Sequence, residues 1–168
     1  MRRNRGGFGI NSRGLSTIGW LITMPIVLLI LAIGFYEGRK AYWDYRVKGM
    51  CEKDGGVKVF QTVELNEQEY ALFLNKFGQL DIPLENRAVE NVPIVHSDTR
   101  TYVHRGNPEV WRYQLVVIRK SDKKALGVRI SYARVGGDLF ALHPSRYLCP
   151  EKSEDLFSAI VHKTKVRK

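Results

Sequence analysis

Hydrophobic positions fall into two regimes along the chain. From Gly14 through Tyr36 no residue carries a charge, a run of 23 positions. About 20 apolar residues at ~1.5 Å rise cover a ~30 Å hydrocarbon layer, so the run predicts a membrane-spanning helix over residues 15–36. Pro25 predicts a kink that a membrane helix tolerates. Beyond it the pattern becomes periodic. Residues 37–50 prolong the helix as a juxtamembrane stalk ending at Gly49. Val57, Val59, Gln61, Val63 and Leu65 share one parity and predict a half-buried strand opened by Asp54-Gly-Gly. Asn66 with Glu69 three positions on predicts a capped helix, in which Tyr70, Phe73, Leu74 and Phe77 form the apolar stripe and Gly78 the stop.

Residues 79–98, with Pro83 and Pro93 and no sustained period, read as a wrapping loop. Strands are expected at Thr99–His104, Val110–Lys120 and Ala125–Val135, the last two joined by a turn at Ser121–Lys124. Leu126, Val128, Ile130 and Tyr132 alternate with Gly127, Arg129, Ser131 and Ala133, so one face is assigned to the core and one to water. Gly136-Gly-Asp138 turns the chain into a short strand at Leu139–Leu142. Ser153 is expected to cap a final helix whose buried stripe is Leu156, Phe157, Ile160 and Val161. The order predicts an α+β fold: an N-terminal transmembrane helix followed by one antiparallel sheet packed with two helices. The expected divisions are a basic tail at 1–14, the span at 15–36, the stalk at 37–50, an extracytoplasmic domain at 51–162 and a second basic tail at 163–168.

Charge changes the picture only at the ends. The net charge of +10 comes from 27 basic and 17 acidic residues in a chain of 168. Arg2, Arg3, Arg5 and Arg13 supply +4 before the apolar run, residues 37–50 add +2, and Lys163, Lys165, Arg167 and Lys168 add +4. Residues 51–162 balance at 15 against 15. Nucleic acid is therefore not an expected partner, since a nucleic-acid-binding domain carries its basic excess on the fold. The expected partners are the lipid bilayer and an envelope protein. Trp20 at one end of the span, and Tyr36, Tyr42, Trp43 and Tyr45 at the other, are assigned to the headgroup interfaces.

Basic residues flank both ends of the span equally, so the four N-terminal arginines alone do not orient it. Two features place the N-terminus in the cytoplasm and the domain outside it. A long C-terminal part translocates largely regardless of its charge, and both cysteines lie there, where an oxidising compartment permits a bond. The location expected is a bacterial inner membrane. Cleavage after Ala32-Ile33-Gly34 as a signal peptide is the alternative, opposed by the length of the core and the bulky Phe35-Tyr36 that follows.

Cys51 and Cys149 bracket the periodic region, and a bond between them would close a loop worth up to ~4.7 kcal/mol of chain entropy. The sequence has no C-x-x-C, and His96, His104, His143 and His162 show no metal-ligand spacing. No G-x-S-x-G, S-x-x-K or phosphate-binding glycine loop occurs either. No catalytic, cofactor-binding or metal-binding residue is therefore assigned, and the chain is read as a non-enzyme, with a membrane-tethered enzyme of unidentified chemistry as the alternative. Arg112, Arg119, Lys120, Lys123, Lys124, Arg129 and Arg134 are cations on the central hairpin. A face built from them would suit an acidic partner or a polyanionic glycan, although a solvated outer face accounts for them as well.

Arg13-Gly14 opening the apolar helix, Pro25 within it and Gly34-Phe-Tyr-Glu-Gly-Arg39 closing it resemble the N-terminal segment of TadE-like pseudopilins, over about residues 13–40. The resemblance implies an accessory role in pilus or secretion machinery and cleavage after Gly14. The position aligned with that family's early glutamate is Gly19, which has no docking carboxylate, so an uncut anchor is expected. Cys51-Glu-Lys-Asp-Gly-Gly-Val-Lys-Val-Phe60 resembles an opening in uncharacterised proteobacterial envelope proteins and implies no activity.

Overall fold

A computed structural model of the protein describes residues 17–87, 92–139, 143–151 and 155–164. One helix dominates it. Helix α1 runs unbroken from Thr17 to Asp54, through Pro25 and past Gly49, where the stalk was expected to end. Gly49 lies inside the helix, with a right-handed backbone that any residue adopts. The stop comes instead at Gly55, which donates to Cys51 O at 2.8 Å, and at Gly56, whose φ of +99° is open to glycine.

The sheet is α1's platform. Strands β1 (Gly56–Val59), β3 (Ile94–His104), β4 (Glu109–Arg119), β5 (Ala125–Val135) and β6 (Arg146–Cys149) form one antiparallel sheet in the order β1-β5-β4-β3. Strand β6 shares β5's outer edge with β1: β1 pairs with Gly127–Ile130 and β6 with Tyr132–Val135. The predicted strand over 57–65 is two strands. Phe60 N and Gln61 N both donate to Leu126 O, the chain leaves the sheet, and β2 (Val63–Leu65) pairs in parallel with β7 (Val161–Lys163) in a separate ribbon.

The middle helix is shorter than its apolar spacing predicts. The capping box at Asn66 and Glu69 forms, but α2 covers only Glu67–Ala71. The Asn75 side chain competes for backbone donors, accepting from Phe77 N at 2.9 Å and Gln79 N at 3.0 Å, and Gly78 turns at φ +75°. Phe73 is thereby delivered to the core at 1% exposure, while Phe77, expected on the same stripe, stands 74% exposed.

Strand β3 starts at Ile94, inside the expected loop, because Ile94 and Val95 are buried and pair with Arg119 and Ile118. Leu139 sits in a bend, not a strand, and residues 140–142 lie outside the described residues. The last strand of the sheet is β6, which carries no alternating signal. Ser153 also lies outside the described residues; Asp155 caps α3 (Leu156–Ile160), its side chain accepting from Phe157 N. Val161, expected on the helical stripe, is buried as the first residue of β7.

Two apolar clusters fill opposite faces of the sheet. On one face Val47 and Cys51 of α1 pack on Val110, Val128, Ile130 and Tyr132. The other cluster gathers Leu156 and Ile160 of α3 with Phe73, Ile82, Ile94, Val117, Leu126 and the β2–β7 ribbon. Gly127 admits α3, since a Cβ there would lie 2.7 Å from Ile160 Cδ1 and 2.9 Å from Lys58 O. The predicted division of β5 into a core face and a water face therefore holds over part of its length only.

Candidate binding face

Helix α1 is held to its side of the sheet by polar pairs that recur along one stripe. Lys40 Nζ lies 2.8 Å from Glu37 and 3.3 Å from Asp138, Asp44 pairs with Arg134 at 2.5 Å, and Asp54 receives Arg112 at 3.3 Å and the Tyr132 hydroxyl at 2.8 Å. Trp43 stacks on His104 with ring centroids 4.2 Å apart. Arg134 is only 3% exposed and is fully engaged: it also donates to Gly136 O and, at 2.9 Å, to Ser145 Oγ. Ser145 N donates to Asp138 at 2.7 Å, and this bond, with Lys40, holds the Asp138 carboxyl below its usual range. Lys40 is raised chiefly by its hydrogen bond to Glu37. Burial and the bond to Asp54 raise the Tyr132 phenol.

Cys51 and Cys149 form a disulfide with Cα atoms 6.0 Å apart, tying the end of α1 to β6. The segment expected as a stalk is therefore part of the domain from Lys40 onward. Of the residues assigned to the interfaces, Trp20, Tyr42 and Tyr45 are exposed, Tyr36 is half-buried, and Trp43 is turned onto the sheet. Arg2, Arg3, Arg5 and Arg13 lie outside the described residues.

The opposite face of the sheet is covered at one end only. Register places His96, Val117 and Gly127 in a row beneath α3, where the His96 and Phe157 rings lie 5.5 Å apart. Three further rows follow: Asp98–Leu115–Arg129, Arg100–Tyr113–Ser131 and Tyr102–Trp111–Ala133. Leu115 still packs against the α3 cluster, and the other eight belong to neither apolar cluster. Asp98, Arg100, Tyr102 and Tyr113 are exposed, and the first two rows line a shallow cavity of about 250 Å³.

Trp111 is 6% exposed because its own neighbours cover it: the Arg100 guanidinium lies over the indole and Tyr102 packs at 3.7 Å between centroids. Its Nε1 is buried without a hydrogen-bond partner among the described residues. Arg105 lies over Tyr102 at 4.7 Å, so cations and rings alternate across this end of the face.

The seven hairpin cations do not make one surface. Arg112 and Arg134 face α1 and are neutralised by it; Arg119 and Lys124 meet Asp122, and Lys123 meets Glu85. Of that set only Arg129 reaches the uncovered face, where it shares the cavity with Arg100, and neither is ion-paired among the described residues. Sequence reading passed over Arg100, Tyr102, Trp111 and Tyr113 because a strand's alternation assigns parity, not what covers each face. The available signal was a cluster of aromatic and arginine side chains at alternate positions of paired strands. Among the described residues no group of His, Cys, Asp or Glu is placed to hold a metal.

Fold and site together define a class: a small α+β domain built around the second half of a helix whose first half is long and apolar enough to cross a membrane. The most apolar window of that helix has a mean hydropathy of 2.1, and none of it is buried within the chain. The chain matches no protein-family model, no curated protein and no solved structure.

Proposed function

We propose that this is a single-pass, membrane-anchored envelope protein, with its N-terminus in the cytoplasm and its domain outside, that binds or positions another envelope component. The observation carrying the reading is the continuity of α1. Its exposed apolar half needs a nonaqueous environment, and its second half is clamped to the sheet by the disulfide and the Asp44–Arg134 pair. The domain is thereby held in fixed orientation to the bilayer. The disulfide supports an oxidising side for the domain. An accessory pseudopilin-like role is the second reading, favoured by the same unbroken helix, whose apolar half is exposed on every side and available to pack among other helices in the membrane.

Fractionation tests the first reading. The full-length chain is expected to stay in membranes through an alkaline carbonate wash and to need detergent for release. Protease added outside the inner membrane should remove everything beyond about Glu37; protection of the domain would reverse the orientation. Intact mass then separates the two readings, because Met1 retained fits the anchor and Leu15 as first residue fits the pseudopilin.

A further inference from the structure

Strand β3 is the edge of the sheet, and only one end of it is occupied. His96 N donates outward to Pro83 O at 3.0 Å, and Leu84 bridges His96 in parallel. Strand periodicity then aims the N–H and C=O groups of Asp98, Arg100 and Tyr102 outward as well, and no described residue pairs with them. The segment Ser97–Val103 carries no proline, and the strand's one register shift lies at its far end, between Tyr102 and His104. The side chains of Asp98, Arg100 and Tyr102 rise on the uncovered face, beside the cavity that Arg100 shares with Arg129 and Tyr113.

We propose that Asp98–Tyr102 is a strand-addition site for an extended acidic segment of a partner polypeptide, whose backbone pairs with the β3 edge and whose carboxylate enters the Arg100–Arg129 cavity. Three observations select this occupant. Two guanidinium groups line the cavity against the single carboxylate of Asp98, and neither is ion-paired among the described residues, whereas Arg112, Arg119 and Arg134 in the same sheet each have a carboxylate partner. The open backbone groups favour a peptide over an acidic glycan, which has no peptide backbone to complete the ladder. A second copy of the chain is disfavoured by geometry. Antiparallel pairing of two β3 edges would set Asp98 opposite the copy's Arg100, but its two-fold axis stands normal to the sheet. That axis reverses α1, which lies along the sheet, and two reversed helices cannot enter one bilayer from the same side.

The last argument rests on the membrane-anchor reading, so the test uses full-length protein in detergent micelles, after its membrane location has been scored separately. The probe is a short blocked peptide alternating Thr and Glu, titrated calorimetrically at low salt. Binding is expected, weakening with salt, and about tenfold or more weaker for R129Q and for R100Q, since hydrogen bonds to charged groups contribute on the order of 1.5–3 kcal/mol. R129Q leaves the Trp111 stack intact and so reads the charge alone. N-methylation of the peptide at alternate residues should abolish binding, and the amides of Asp98, Arg100 and Tyr102 should gain exchange protection when the unmethylated peptide is bound. The proposal is overturned by no binding, by affinity indifferent to N-methylation or to R129Q, by preference for an oligogalacturonate probe, or by a dimer that R100Q dissociates. None of these outcomes would move the protein out of the membrane fraction.

Discussion

Arg134 shows how one side chain commits a helix to a sheet. Its charge is acceptable at 3% exposure because Asp44 neutralises it and Gly136 O and Ser145 receive its remaining donors. Asp44→Asn keeps the shape and removes the charge, leaving a buried guanidinium without a counter-ion. A loss of about 3 kcal/mol is expected, read as a lower denaturant midpoint of the detergent-solubilised protein. A loss under about 1 kcal/mol would mean that water reaches Arg134 and substitutes for the carboxylate. Sequence displayed both residues as ordinary charges, 90 positions apart. Nothing local distinguishes them from Arg119 and Asp122, which pair across an exposed turn.

Among elements, helices depended on tertiary context more than strands did. The pattern over Ala125–Val135 yielded β5 with its bounds intact, because alternation from Leu126 to Ala133 flanked by turns leaves few alternatives. The i, i+3, i+4 stripe from Tyr70 to Phe77 did not yield a helix of that length, since Asn75 and Gly78 offered the backbone a turn and the core needed Phe73 alone. Helix α3 sits where it does because Gly127 has no side chain. Gly127→Val is expected to cost about 1–3 kcal/mol through overpacking against Ile160 and the Lys58 carbonyl. Faster amide exchange across 155–164, with the Arg100 and Trp111 end of the sheet unchanged, would place the damage at α3; uniform loss of protection would show that the two clusters unfold as one.

For the whole molecule, the Cys51–Cys149 bond joins the helix that leads toward the membrane to the last strand of the sheet, a separation of 98 residues. Alkylating reagents should label neither cysteine until reductant is supplied. Reduction, or C51A with C149A, should then lower stability by about 2–5 kcal/mol, checked by denaturant titration with and without reductant. An unchanged midpoint would assign the clamp to the polar stripe on α1 alone.

An uncharged run of 23 residues can only be read as a segment that avoids water, and alternation from Leu126 to Ala133 marks an extended strand even though Leu126 ends on the other face, so the apolar helix, the meander and the paired cysteines were legible in the linear pattern. Those are consequences of local periodicity and solvation. Which face α1 covers, where α3 stops, and why Arg100, Tyr113 and Arg129 meet beside an open edge depend on register between distant strands and on which surfaces remain after the helices have docked. Pairwise contact across the sheet decided them, and a linear pattern carries no record of it.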